Sequence, residues 1–125
     1  MSQVNIPNVK IAVIDDDLLG RDFIVTVLMY CVNRDILSFD SGTAAWKYIK
    51  DHGSPDIIIS GIDVPGLSGF ELLSKFKKKY PEKKCLLMSA DPAHEQSARD
   101  SGADAFLAKP VSVNDLFKVV ETFVV

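Results

Sequence analysis

Five short apolar runs alternate along the chain with five segments of helical periodicity. The most apolar run, residues 57–59, is three isoleucines, preceded by Pro55-Asp56 and followed by Ser60 and Gly61. A short β-branched run without polar alternation is typical of a strand buried on both faces of a parallel sheet. Four further runs predict strands at residues 10–14, 35–39, 85–88 and 105–108.

The segments between these runs have the spacing of amphipathic helices. Residues 18–32 predict a first helix whose inward face carries Leu19, Phe23, Ile24, Val27, Leu28 and Cys31. A second helix is expected from the cap Ser41 to Gly53, with Trp46 in the core. Residues 68–71 form a capping box that opens a third helix, which ends before Pro81.

The last two helices differ in the number of large apolar residues they carry. The fourth is expected to begin with Asp91 as its cap and to reach Asp100, and its few large apolar residues predict thin anchoring. The fifth follows Ser112 and carries an inward stripe of Leu116, Val119, Val120, Phe123 and Val124. Regular alternation of strands and helices predicts a single α/β domain over residues 1–125, a (βα)5 sandwich with helices on both faces of a parallel sheet.

Composition narrows the class of protein. The 125 residues are 47% hydrophobic and 25% charged, which is typical of a soluble globular domain. The net charge of −3 argues against a nucleic-acid surface. No apolar run approaches the roughly 20 residues of a membrane span, and residues 1–8 lack a signal-peptide core. Cys31 and Cys85 fit no metal spacing, so we expect two buried free thiols and a cytoplasmic location.

Polar residues follow four of the five predicted strands. They are Asp15, Asp16 and Asp17 after the first, Ser60, Gly61 and Asp63 around the end of the third, Ser89 after the fourth and Lys109 after the fifth. The carboxyl ends of parallel strands meet at one edge of a sheet, so we expect these residues to share a site. Adjacent carboxylates favour a bound cation such as Mg²⁺, and a lysine with a hydroxyl can hold phosphoryl oxygens.

With these motifs in this order, the chain resembles the receiver domain of two-component response regulators over nearly its whole length. The matching segments are residues 14–17, Pro55-Asp56 to Pro65-Gly66, residues 88–90, residues 102–104 and Lys109-Pro110. The resemblance implies a flavodoxin-like sheet of strand order 2-1-3-4-5. It also implies weak Mg²⁺ binding by Asp15, Asp16 and the backbone carbonyl of Asp63, phosphoryl contacts from Ser89 and Lys109, and a switch role for Phe106.

One position departs from the family pattern. Where such domains carry the aspartate that accepts phosphate, this sequence has Gly61, which has no nucleophilic oxygen. We therefore expect no aspartyl phosphate, weaker metal binding and direct pairing of Lys109 with the nearby acids. Ser60 is expected to point away from the site, and nothing in the sequence gives Asp17 or Asp63 the geometry of a substitute acceptor.

The leading functional prediction is a signalling module, not an enzyme, that binds proteins without phosphorylation. The resemblance implies that partners bind the face formed by the fourth helix, fifth strand and fifth helix. A histidine kinase, an output protein or a second copy of the chain would fit there, and neither nucleic acid nor membrane is expected. One alternative is an ordinary Mg²⁺-dependent phosphoreceiver in which an engineered glycine replaces the aspartate at position 61.

A more distant alternative is a haloacid-dehalogenase-like phosphatase, because Asp15 and Asp17 form a D-x-D motif after the first strand. The second acidic pair of such enzymes is absent.

Two other groups of residues are expected to lie on the surface. The lysines at positions 75, 77, 78, 79, 83 and 84 predict a solvated basic face, and His52 and His94 predict exposed side chains. Phe106 fits both an aromatic filler and a conformational switch.

Overall fold

The structure is a computed structural model and describes residues 8–123. Within that range, five strands alternate with five helices. In chain order they are β1 (Ile11–Ile14), α1 (Leu18–Met29), β2 (Leu37–Phe39), α2 (Gly42–His52), β3 (Ile57–Gly61), α3 (Gly69–Lys79), β4 (Lys84–Ser89), α4 (His94–Asp100), β5 (Ala105–Ala108) and α5 (Val113–Phe123). The predictions for residues 1–7 and for Val124 lie outside the described residues.

The five strands form one parallel sheet in the order β2-β1-β3-β4-β5, which confirms the predicted flavodoxin-like fold. β3 lies at the centre and pairs with β1 on one side and β4 on the other. All five of its residues are buried, as expected for an isoleucine run covered on both faces. Gly61, at its end, pairs with Met88 of β4, and Ser60 before it pairs with Ile14 of β1.

Alternating side chains divide the core into two layers. Val13, Ile59 and Leu107 face α1 and α5, whereas Ala12, Ile58 and Leu87 face α2, α3 and α4. Each buried isoleucine or leucine contributes about 1.5–3 kcal/mol relative to an exposed one. This division also decides on which side of the sheet a residue beyond a strand end will lie.

Several helix boundaries follow the predicted local chemistry. Ser41 caps α2, and its hydroxyl accepts a hydrogen bond from the N–H of Ala44 at 3.0 Å. The capping box of α3 is present, with Ser68 and Glu71 accepting hydrogen bonds from each other's N–H at 3.2 and 3.1 Å. Asp17 caps α1 in the same way by accepting from the N–H of Gly20. These caps fix where each helix leaves the edge of the sheet.

The helix α1 departs from its prediction. It ends at Met29, three residues before the predicted end, and two of its expected core residues, Leu19 and Phe23, are 79% and 42% exposed. The buried stripe is instead Ile24 and Leu28, and the large apolar residues of the first turn and a half of α1 remain exposed. Cys31 is only half-buried, whereas Cys85 is fully buried as predicted.

The fourth helix also begins later than expected. Asp91 is not its cap: the Asp91 carboxylate accepts from the N–H of Ala93 in a turn, and α4 starts at His94. Its one buried residue is Ala98, in agreement with the predicted thin anchoring. Trp46 packs at the border of the second core layer and is half-buried, so its prediction as a core residue is only partly right.

The edge at which the strands begin, here called the amino edge, carries two ion-paired carboxylates. Asp56 accepts from the N–H of Lys10 at 3.0 Å and pairs with Lys83 at 3.0 Å. Asp104 accepts from the N–H of Cys85 at 2.8 Å and pairs with Lys77 at 2.7 Å. The prediction that the basic cluster is a solvated face is therefore wrong for Lys77 and Lys83, which tie α3 and the start of β4 to the sheet.

Burial and neighbouring charges shift the pKa values of Asp56 and Cys85. Partial burial raises the pKa of Asp56, but the hydrogen bond from Lys10 and the Lys83 ammonium outweigh it, so the pKa lies below its ordinary value. Burial, assisted by the charge of Asp104, raises the pKa of the Cys85 thiol to about 12.

Within residues 8–123, no helix combines the length and the hydropathy that crossing a bilayer would require.

Candidate functional site

The opposite edge of the sheet, here called the carboxyl edge, brings together three of the residues named from the sequence. Asp15 follows β1, Gly61 ends β3 and Lys109 follows β5. Each continues the alternation of a strand residue that faces α1 and α5, so all three lie on the same side of the sheet. The strand ends thus build one compact group.

Asp15 and Lys109 form the central contact of this group. The Lys109 Nζ atom lies 3.0 Å from Asp15 Oδ2 and 3.2 Å from Oδ1, so the ammonium contacts both carboxylate oxygens. The Asp15 side chain is 1% exposed and that of Lys109 is 30% exposed. The predicted direct pairing of Lys109 is therefore present with Asp15, one of the two acids expected, and it neutralises a buried carboxylate.

Further hydrogen bonds hold the pair in place. The N–H of Asp17 donates to Asp15 Oδ1 at 3.1 Å, and Arg21 Nη1 donates to the Asp15 carbonyl at 2.6 Å. The N–H of Lys109 donates to the Ser89 carbonyl at 2.9 Å, and the Lys109–Pro110 peptide bond is cis. Arg21 was not predicted as part of the site. Its place one helical turn after the acidic triplet was the signal that could have suggested it.

Gly61 leaves space beside Lys109. A Cβ atom built on Gly61 would lie 3.7 Å from Lys109 Nζ and 3.8 Å from the Ile14 carbonyl oxygen, both ordinary contacts. Its closest neighbour would be Val64 Cγ1 at 3.2 Å, which would have to yield by a few tenths of an ångström. A Cβ atom at position 61 would therefore lie in van der Waals contact with the ammonium group, and of its nearest neighbours only Val64 would have to shift.

The other predicted acids do not join the group. Asp16 and Asp63 are exposed, and Asp17 is occupied as the cap of α1. Across residues 8–123, no three His, Cys, Asp or Glu side chains assemble in a way that could hold a metal ion. Of the two carboxylates expected to bind Mg²⁺, Asp15 is buried against Lys109 and Asp16 is exposed.

Ser89 lies on the other side of the sheet and contacts His94. The Ser89 Oγ atom is 2.7 Å from His94 Nδ1, and it accepts from the N–H of Asp91 at 3.0 Å. Which of the two atoms donates the hydrogen in the Ser89–His94 contact depends on the imidazole tautomer. The prediction that His94 is exposed is wrong: it is half-buried and joins α4 to the end of β4.

Sequence alternation contained the signal for this contact. Ser89 continues the series Cys85 and Leu87, which faces α2, α3 and α4, and His94 begins the helix on that side. Phe106 belongs to the same series on β5 and packs half-buried against the same layer. Both predicted roles of Phe106, filler and switch, are compatible with that position.

Ser60 is shielded from reaction. It is fully buried, and its hydroxyl donates to the Gly61 carbonyl at 2.9 Å. It lies in the layer opposite to Asp15 and Lys109, as the alternation predicts.

Comparison with known proteins agrees with this architecture. The family model described as "Response regulator receiver domain" matches residues 11–121. The chain is 29% identical over 136 residues to the two-component response regulator ARR15 of Arabidopsis thaliana, covering 97% of this chain and 65% of that protein. It is 28% identical over 116 residues to the two-component response regulator-like PRR37 of Oryza sativa subsp. japonica, covering 86% of this chain and only 15% of that protein.

Solved structures give the same result. The signal receiver domain of NarL from Mycobacterium tuberculosis superposes with a TM-score of 0.79 at 30% identity, over 92% of this chain and 94% of that one. NtrX from Brucella abortus superposes with a TM-score of 0.82 at 27% identity, over 93% of this chain and 26% of that one. Together with the sheet order and the residues at its carboxyl edge, these matches establish that the chain belongs to the response regulator receiver domain family.

Proposed function

We propose that this domain transmits a signal by binding proteins and does so without being phosphorylated. The observation that carries the proposal is Gly61. It ends β3 at the position where the family resemblance places the phosphoacceptor aspartate, and it offers no oxygen to form an acyl phosphate. An aspartyl phosphate needs a carboxylate in line with the phosphodonor, and positioning supplies most of the rate in such transfers.

The neighbouring residues are poor substitutes for the missing carboxylate. Ser60 is buried, and its hydroxyl proton is used in a hydrogen bond. Asp15 is buried against Lys109, and Asp17 caps α1. Asp63 is exposed, and its carboxylate is not among the groups that contact Lys109. These contacts favour a domain that is inert toward phosphodonors.

The test is incubation with a small acyl phosphate and Mg²⁺, followed by intact mass measurement. We expect the wild-type mass to stay unchanged. The Gly61→Asp variant should gain the mass of one phosphoryl group, and Gly61→Ala should not, because alanine adds the Cβ atom without a carboxylate. A stable phosphoryl adduct on the wild-type chain would overturn the proposal.

A second candidate is an ordinary phosphoreceiver in which glycine replaced the natural aspartate. The space beside Gly61 favours it, because a Cβ atom there would meet only Val64 closely. The codon at position 61 in the parent gene distinguishes the two. The family membership argues against the haloacid-dehalogenase alternative, which also needs a second acidic pair.

The binding surface is also part of the proposal. The face formed by α4, β5 and α5 has a shallow groove lined by Phe106, Glu95 and Lys118, and α4 is held by few core contacts. A histidine kinase, an output protein or a second copy of this chain would be the partner. Among the described residues, most exposed large hydrophobic side chains lie on α1 and its end (Leu18, Leu19, Phe23, Met29, Tyr30), and two lie on α5 (Val113, Phe117).

Two charge-introducing variants separate these surfaces. Sedimentation velocity over a range of concentrations measures self-association of the wild type. If copies associate through the α4-β5-α5 face, Lys118→Glu should weaken the association and Phe23→Glu should leave it unchanged. The reverse result would move the interface to α1.

A further inference from the structure

The family resemblance implies a Mg²⁺ ion at the carboxyl edge, but the donor set of this chain does not fit one. Mg²⁺ requires near-octahedral oxygen ligands at about 2.0–2.1 Å and is usually held by one or two carboxylates with free lone pairs. Of the expected side-chain ligands, only Asp15 is buried at the site. The Asp16 side chain is exposed, position 61 supplies no carboxylate, and Asp63 was expected to supply only its backbone carbonyl.

Asp15 itself is already engaged. Both of its oxygens contact the Lys109 ammonium, at 3.0 and 3.2 Å, and Oδ1 also accepts from the N–H of Asp17. A divalent ion would have to displace the ammonium from a carboxylate that is 1% exposed. Two cations next to one buried carboxylate would repel each other, so the displacement would leave Lys109 without its partner.

The charge balance gives the physical reason. A carboxylate at position 61 would extend from a Cβ atom 3.7 Å from Lys109 Nζ, within reach of the same ammonium group that Asp15 contacts. One lysine would then face two acids, and the excess negative charge would favour a further cation. With glycine, one lysine faces one acid, and the pair is neutral.

We propose that the Lys109 ammonium takes the place of the divalent cation in this domain. It joins the end of β1 to the segment after β5, so the carboxyl edge is assembled in a single arrangement without Mg²⁺. The domain is therefore insensitive to Mg²⁺ in both stability and conformation. This goes beyond the absence of phosphorylation, because a site without an acceptor could still bind the metal.

The test is a titration of ¹⁵N-labelled protein with MgCl₂, with NaCl at matched ionic strength as the control. The wild type should show no saturable, Mg²⁺-specific shifts in the amide signals of Asp15, Asp16 and Asp63. Thermal unfolding in the same solutions should give the same Tm. A saturable Mg²⁺-specific response in the wild type would overturn the proposal. Because this titration uses only the wild-type protein, its result does not depend on whether any variant folds.

Two variants test the stated cause. In Gly61→Asp, Mg²⁺ at about 10 mM should raise Tm by about 5 °C, because a ligand that binds only the folded state stabilises it by RT ln(1 + L/Kd), where L is the free ligand concentration. Gly61→Ala should stay as unresponsive as the wild type. A folded Gly61→Asp variant that ignores Mg²⁺ would contradict the charge-balance explanation. The phosphodonor experiment tests a separate proposal. If the wild type bound Mg²⁺ but was not phosphorylated, this inference would be wrong and the proposed function would stand.

Discussion

At the amino edge of the sheet, Asp56 and Asp104 each accept an N–H from a neighbouring strand and pair with a lysine, whereas at the carboxyl edge Asp15 is buried against Lys109. The acids of the amino edge keep some contact with water, with side chains 45% and 19% exposed. Asp15 keeps almost none. A lysine–aspartate ion pair thus joins neighbouring segments at the amino edge, whereas at the carboxyl edge it neutralises a buried charge.

This difference predicts unequal consequences when a partner is removed. A hydrated carboxylate that loses its lysine is solvated by water, and exposed pairs contribute about 0–1 kcal/mol. A buried carboxylate that loses its lysine keeps an uncompensated charge, which destabilises the folded state more strongly. Four substitutions, taken from the largest expected effect to the smallest, test the comparison.

Lys109→Met should have the largest effect. It keeps much of the aliphatic side chain but leaves Asp15 buried without a cation, and we expect the free energy of unfolding to fall by about 2–3 kcal/mol, less than for a fully buried pair because water reaches Lys109. Urea unfolding measures the change. Lys78→Met, on the exposed side of α3, is the matched control. An equal effect of both variants would mean that the buried pair contributes nothing specific.

Asp104→Ala should have the next largest effect. It removes the acceptor of the buried Cys85 N–H and leaves Lys77 with the Lys83 carbonyl but without a counter-ion, so we expect a loss of about 1–2 kcal/mol. Asp104→Asn keeps an oxygen that can accept the N–H and should lose less. If the two variants were equally unstable, the ion pair with Lys77 would matter more than the hydrogen bond.

His94→Ala tests the second contact of the carboxyl edge. It leaves the Ser89 hydroxyl without the imidazole, and since Ala98 is the one buried residue of α4, we expect faster amide exchange throughout that helix. The loss of global stability should be about 1 kcal/mol or less. His52→Ala, at the exposed end of α2, is the control. Unchanged exchange in α4 would show that the Ser89 contact does not anchor it.

The smallest effect should be the pH dependence contributed by Asp56. Its pKa is lower in the folded chain than in the unfolded one, so its stabilisation is complete above the unfolded value and is lost as pH falls through the folded value. Below about pH 4, stability should therefore fall less steeply in Asp56→Asn than in the wild type. Urea unfolding between about pH 2 and 5 measures this, and identical acid limbs would contradict the assignment.

Much of the fold follows from sequence because local pattern and packing agree. The isoleucines of β3, the cap Ser41 and the capping box at Ser68 each predict the element that forms. The strand order came from the family resemblance. Periodicity failed near the start of α1, because Leu19 and Phe23 have the spacing of an inward face but their side chains are exposed.

The site could be predicted only in part. The positions of the strand ends in the sequence predicted that Asp15, Gly61 and Lys109 lie together. They did not predict that the Ser89 side chain lies on the opposite side of the sheet. Period-two alternation on β4 contained that information, and it also pointed toward His94. The ion pairs of Lys77 and Lys83 were not predictable from a run of lysines, because their partners Asp104 and Asp56 lie far away in sequence.

The space beside Gly61 has a practical consequence for studying how phosphoreceivers evolve. The surrounding backbone is fixed by β1 and β4, so glycine, alanine, asparagine and aspartate can be compared at this position on one unchanged scaffold. Such a series would separate the contribution of each added atom from that of the framework. It would measure which added atom is needed before the site binds Mg²⁺ or accepts a phosphoryl group.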